Sequence, residues 1–123
     1  MKRRVLAAVD DLFFASKIRA AAETLGVEYE SARSVESAIE KAKARRPDLV
    51  VADLHSERCD PVALAEAFKA DATLSDVPLV GFFSHVQTAV RDRALASGFD
   101  RVLTRSVFSE RLGEILQGGV VSL

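Results

Sequence analysis

Three short apolar runs, each stopping abruptly at polar residues, constrain this chain more than any other feature. Residues 5–9 are unbroken Val, Leu and Ala and end at Asp10-Asp11, residues 49–52 end at Asp53, and residues 79–83 end at Ser84-His85. A short continuous apolar run of this kind is how a strand buried on both faces reads. Two weaker segments share the pattern: residues 27–32 alternate apolar and polar, as an edge strand does, and residues 101–104 form a short last strand. The five starts, near positions 5, 27, 49, 79 and 101, are separated by 22, 22, 30 and 22 residues. That interval holds one strand, one helix and two turns. Right-handed crossovers then make the strands parallel, with helices on both faces of one sheet, a doubly wound α/β layer.

The intervening segments carry helical periodicity. Phe14, Ile18, Ala21, Ala22 and Leu25 recur at three- and four-residue steps across 12–25, and Gly26 supplies the stop. Ser34 offers an N-cap to a helix bearing Val35, Ala38, Ile39 and Ala42, ended by Pro47. Asp60-Pro61 places a capping carboxylate before a proline at the first helical position, and Val62, Leu64, Ala65 and Phe68 give the buried stripe. Residues 87–97 and 109–117 are predicted as the last two helices, ended by Gly98 and by Gly118-Gly119. The expected organisation is one domain over 1–117 with a short tail over 118–123, since 123 residues leave no room for a second.

Composition narrows the function classes. A hydrophobic share of 49% beside 28% charged residues supports a packed core and excludes a disordered chain. Seventeen Lys and Arg against 18 Asp and Glu provide no field for nucleic acid or an anionic membrane, and Lys2-Arg3-Arg4 reads as a solvated chain end. The single Cys59 forms no internal disulfide, and no run reaches the roughly 18 apolar residues of a membrane span, so the cytoplasm is the expected compartment.

Ligands of open parallel sheets bind beyond the carboxyl ends of the strands. There the sequence places Asp10 and Asp11 after the first strand and Asp53 after the third, with Ser84 and Arg105 after the fourth and fifth. Three converging carboxylates repel one another and call for a proton or a cation. Mg²⁺, which takes one or two carboxylates and keeps water and phosphate oxygens, suits such an acidic strand end. A dinucleotide site would want glycines after the first strand, and neither GxGxxG nor a P-loop occurs. His55, Glu57 and Cys59 share one loop without a second close-spaced pair, a poor zinc pattern.

These residues resemble the receiver domain of two-component response regulators, over essentially the whole chain to Gln117. Val9-Asp10-Asp11 is similar to the family's metal-holding acidic pair, and residues 47–53 to the segment that delivers its phosphoacceptor aspartate. The resemblance implies a flavodoxin-like (βα)5 receiver fold of strand order 2-1-3-4-5. It also implies a phosphoryl group on Asp53, Mg²⁺ held by Asp10, Asp11, Asp53 and the backbone carbonyl of His55, and Asp60 opening the third helix. Phosphohistidine of a histidine kinase or phosphotransfer protein would be the donor. With no output domain expected after the fifth helix, the effect would pass through a downstream protein partner, by way of the fourth and fifth helices and the last strand, with a homodimer left open. A signalling protein rather than an enzyme is expected.

The switch residues depart from the family's pattern. The hydroxyl position falls on Phe83, with Ser84 one residue late; the lysine position holds Arg105, followed by Ser106 rather than proline; and the switch aromatic is Val102. A rival expectation is therefore a pseudo-receiver, a constitutive interaction module with the fold and without the switch. A small Mg²⁺-dependent phosphohydrolase using Asp53 as nucleophile is a third. Phe13 is a candidate docking side chain at the mouth of the site, and His85 a candidate rim residue.

Overall fold

A computed structural model describes residues 2–84 and 88–118. Its element order is β1 (Arg4–Ala8), α1 (Leu12–Leu25), β2 (Glu28–Ser31), α2 (Val35–Ala44), β3 (Leu49–Asp53), α3 (Pro61–Ala70), β4 (Leu79–Phe83), α4 (Thr88–Ser97), β5 (Arg101–Thr104), α5 (Arg105–Glu110) and α6 (Leu112–Leu116). The strands form one parallel sheet in the order β2-β1-β3-β4-β5. This is the doubly wound layer expected from the strand spacing, in the flavodoxin-like order that the resemblance implies.

Alternation along the strands separates two cores. Val5, Ala7, Leu49, Val51, Val80 and Phe82 point to the face covered by α1, α5 and α6, where they meet Phe14, Ile18, Phe108 and Ile115. Leu6, Ala8, Val50, Ala52, Leu79 and Phe83 point to the opposite face, under α2, α3 and α4, against Ala38, Leu64, Phe68 and Ala94. The central strand β3 is buried throughout, whereas β2 and β5, at the two edges, are half-buried. Local chemistry sets the helix starts: Asp11, Ser34, Asp60 and Thr104 each accept a first-turn backbone N–H. Gly26 closes α1 in the left-handed region at φ 70°, where a Cβ would be strained.

Several element boundaries differ from the sequence reading, the first strand running over Arg4–Ala8 among them. The helix α2 ends at Ala44, before Pro47, because a residue preceding proline is driven to extended backbone and the preceding turn unwinds with it. Val27 and Ala32 flank β2 rather than belonging to it, yet both are buried. The last helix begins at Arg105 rather than at Ser109 and breaks at Arg111, giving α5 and α6. Thr104 causes the early start: its hydroxyl accepts the Val107 N–H at 3.3 Å, so β5 runs straight into the helix with no intervening turn. Gln87, His85 and the tail beyond Gly118 lie outside the described residues.

Candidate functional site

The chemistry gathers at the carboxyl ends of β1, β3, β4 and β5. Asp53 closes β3 and is 8% exposed, one of two buried polar residues among the described residues, the other being Ser56. The chain turns sharply after it. The Leu54 N–H donates to the Phe82 carbonyl at 3.0 Å, the Ser56 N–H to the Asp53 carbonyl at 3.1 Å, and the His55 N–H to Asp53 Oδ1 at 2.9 Å. Burial raises the Asp53 pKa above its ordinary value and Asp10 pushes the same way, while the His55 N–H bond and the charges of His55 and Arg105 offset part of the rise.

Asp10 and Asp11 leave β1 in different directions. The Asp10 carboxylate is drawn into the loop after β3: Oδ1 accepts from the Ser56 hydroxyl at 2.9 Å, and Oδ2 from the backbone N–H groups of Glu57 at 3.1 Å and Arg58 at 3.5 Å. Asp11 caps α1, with Oδ1 accepting from Phe13 at 2.9 Å and Phe14 at 3.1 Å. Its other oxygen, Oδ2, takes a 2.8 Å ion-paired hydrogen bond from Arg105. The bond from Arg105, followed by the cap, lowers the Asp11 pKa.

Arg105 is held by more than that bond. Its guanidinium carbon lies 4.2 Å from the centroid of the Phe14 ring and 5.9 Å from that of Phe82. These rings form a buried triad with Phe108, at centroid separations of 5.0, 4.7 and 5.9 Å. A planar cation over an aromatic face is attracted by the ring quadrupole, which suits Arg better than the more strongly hydrated point charge of Lys. The guanidinium borders a cleft of about 410 Å³ lined by Phe14, Ser84, Thr104, Arg105, Ser106 and Ser109. Lys17 reaches the rim and donates to the Ser109 hydroxyl at 2.6 Å.

The expected metal ligands are thus brought to one end of the sheet without forming one cluster. All four oxygens of the acidic pair already accept hydrogen bonds, and among the described residues no three Asp, Glu, His or Cys side chains form a group that could hold a metal ion. Carboxylate chemistry suits Mg²⁺, but this arrangement does not fit it: an ion would have to displace Arg105 from Asp11 or the loop from Asp10. The sequence reading placed three carboxylates at this end of the sheet, and the structure adds the donors that already hold the acidic pair. Proximity along the strand ends was legible; the donors that claim each oxygen were not.

The switch positions sort clearly. The Phe83 side chain is buried in the core under α3 and α4, as its place in the alternation requires, and Ser84 is exposed. The Ser84 N–H donates to His55 Nε2 at 3.2 Å, so the imidazole links the loop after β3 to the end of β4. Phe13 is 89% exposed and Leu12 73%, at the N-terminus of α1 beside the site, while Phe14 is core. Asp60 caps α3 through the Val62 N–H, and Cys59 is buried, its thiol pushed up to about 11 chiefly by burial, away from any thiolate ligand role. Sequence reasoning passed over Ser56, whose hydroxyl donates to Asp10 and accepts the Cys59 N–H at 3.0 Å. The available signal was a serine three residues ahead of a buried turn position, an ST-type bond.

Comparison with solved structures places the architecture. The chain superposes on the chemotaxis response regulator CheY4 of Vibrio cholerae with a TM-score of 0.82 at 20% identity, over 95% of this chain and 98% of that one. The receiver domain of the sensor histidine kinase PA1611 from Pseudomonas aeruginosa, a structure with a magnesium ion coordinated in its active-site cleft, gives 0.83 at 20% identity over 95% and 96%. The phosphorylated cyanobacterial phytochrome response regulator RcpA gives 0.78 at 22% identity over 96% and 91%. No protein-family model matches the sequence. No curated protein matches it either. The chain therefore has the response-regulator receiver fold, and its three strand-end aspartates stand at the carboxyl ends of β1 and β3, beside the point where the strand order reverses.

Proposed function

We propose that this chain is a receiver-type module of two-component signal transduction that accepts a phosphoryl group on Asp53 and acts by binding protein partners. The observation that carries the reading is the placement of Asp53: a buried carboxylate, raised in basicity, at the end of the central strand and beside the end of β1, where the strand order reverses. Its donor would be phosphohistidine of a histidine kinase or phosphotransfer protein, and its output a downstream protein partner. Arg105 and the Ser84 hydroxyl are the proposed contacts for the transferred group, and both border the same cleft. No described helix is long and apolar enough to cross a membrane, Cys59 is free and buried, and a cytoplasmic setting is part of the proposal.

A second reading rests on a specific observation. Asp11 is paired with Arg105 and Phe83 is buried where the receiver pattern has a hydroxyl, which favours a pseudo-receiver that binds partners constitutively. Acetyl phosphate separates the two. The first reading expects a labile single phosphoryl adduct in the intact mass, lost in Asp53→Ala, and amide shifts spreading from the site. The second expects no adduct with or without Mg²⁺ and partner binding unchanged in Asp53→Ala.

A further inference from the structure

We infer that Arg105 is the resident cation of this site: its guanidinium supplies the positive charge beside the acidic pair and, by holding Asp11, keeps a divalent ion out. Three contacts fix it there: the 2.8 Å bond to Asp11 Oδ2 and the faces of Phe14 and Phe82. The start of α5 immediately after β5 puts residue 105 in a rigid first turn instead of a loop. The backbone reinforces the exclusion, since Asp11 Oδ1 is committed to the cap of α1, and the Ser56 hydroxyl and two loop N–H groups claim both oxygens of Asp10. Mg²⁺ loses its water reluctantly and needs carboxylate oxygens in return. Here each oxygen of the acidic pair would have to be taken from an existing donor.

The consequence for the phosphoryl group rests on the proposed acceptor role of Asp53. With acetyl phosphate as donor, an Asp53 carboxylate oxygen forms the new bond to phosphorus as the bond from phosphorus to the acetate oxygen breaks, and acetate leaves with the electron pair. No proton, oxidant or second co-reactant is needed. A guanidinium can donate two parallel hydrogen bonds to the equatorial oxygens, the service a metal otherwise performs. Transfer should then proceed in the absence of metal.

Amide NMR of the whole chain titrated with MgCl₂ tests the exclusion directly. Wild type should show no saturable shift at Asp10, Asp11 or Asp53 up to about 10 mM, whereas Arg105→Gln, with Asp11 released, should saturate at millimolar Mg²⁺. Saturation of wild type in that range, or no binding by a folded Arg105→Gln, overturns the inference. Should Arg105→Gln fail to fold, Arg105→Lys, which keeps the charge without the stacked plane, should admit Mg²⁺ weakly, and its failure to do so counts equally against the inference. In parallel, acetyl phosphate with EDTA should give the Asp53 adduct in wild type and about tenfold less in Arg105→Gln. Adduct formation that requires Mg²⁺ overturns the inference and leaves Asp53 as acceptor. No adduct under any condition overturns the acceptor reading, and the titration then judges Arg105 alone.

Discussion

Gly81 sits in the middle of β4, between Ala52 of β3 and Val102 of β5, on the sheet face under α3 and α4. The space a side chain would need there is filled by Leu54, the residue that follows Asp53. A Cβ on Gly81 would stand 2.7 Å from Leu54 Cδ2, 3.0 Å from Cγ and 3.2 Å from Cδ1. Ordinary contact begins at 3.4 Å, so Leu54 must retreat by about 0.7 Å, the difference between 3.4 and 2.7. It is 5% exposed and packed into the core cluster, which leaves it little room to do so. Gly81→Ala should therefore cost about 1–3 kcal/mol, the usual range for overpacking. In urea, where small domains lose about 1–3 kcal/mol per molar, the unfolding midpoint should drop by about 1 M. Leu54→Ala alone should cost about 2–5 kcal/mol through the cavity it leaves. The double variant places the new methyl in that vacated space, so its cost should fall short of the summed single costs by about 1–3 kcal/mol. Urea titrations of the four proteins give the coupling. Additive costs would refute the claim that Gly81 exists to seat Leu54 and, through it, the turn that positions Asp53.

Asp53→Asn should stabilise the fold at neutral pH. Burial holds the Asp53 pKa above its ordinary 3.8, so the folded state binds the proton more tightly than the unfolded chain. Stability present below that ordinary value is then lost as pH rises through the raised folded value. The Asn variant escapes that loss and keeps an oxygen for the His55 N–H. Melting temperatures at pH 7 and pH 3 should show a gain for the variant at the first and little at the second; a lower Tm at pH 7 contradicts the argument. Cys59 is 2% exposed with its thiol pushed up to about 11, so a disulfide reagent at pH 8 should label it orders of magnitude more slowly in the native state than in urea. Comparable rates would mean that the loop between β3 and α3 opens readily.

The fold was legible because its signals are local and repeated. Each apolar run had to be a buried strand, each Ser34-type or Asp60-Pro61 start had an obvious capping oxygen, and the 22-residue interval admits few topologies. The placement of the candidate residues was legible for the same reason: residues that follow parallel strands share one end of the sheet. Its internal wiring was not, because it depends on contacts between residues far apart in sequence. Ser56 and Asp10 are 46 residues apart, and Arg105 and Asp11 are 94 apart. Nothing near Asp10 announces that a serine hydroxyl and two loop amides will claim its carboxylate.

The early start of the last helix and the donor that holds Asp11 have a common cause. Capping by Asp11 alone does not exclude a cation, because it uses Oδ1 and leaves Oδ2 open. Arg105 decides the matter by taking Oδ2, and it is able to because Thr104 starts α5 at once. A turn between β5 and α5 would have left residue 105 on a mobile loop, with a long side chain losing rotamer entropy for a single exposed ion pair, an interaction worth about 0–1 kcal/mol. Placed in the first turn of α5, the same side chain lies against Phe14 and Phe82, where the rings restrict its rotamers and the pair with Asp11 costs less further ordering. A single hydroxyl at the end of β5 thus fixes a helix boundary and, through it, which cation the aspartates at the end of β1 receive.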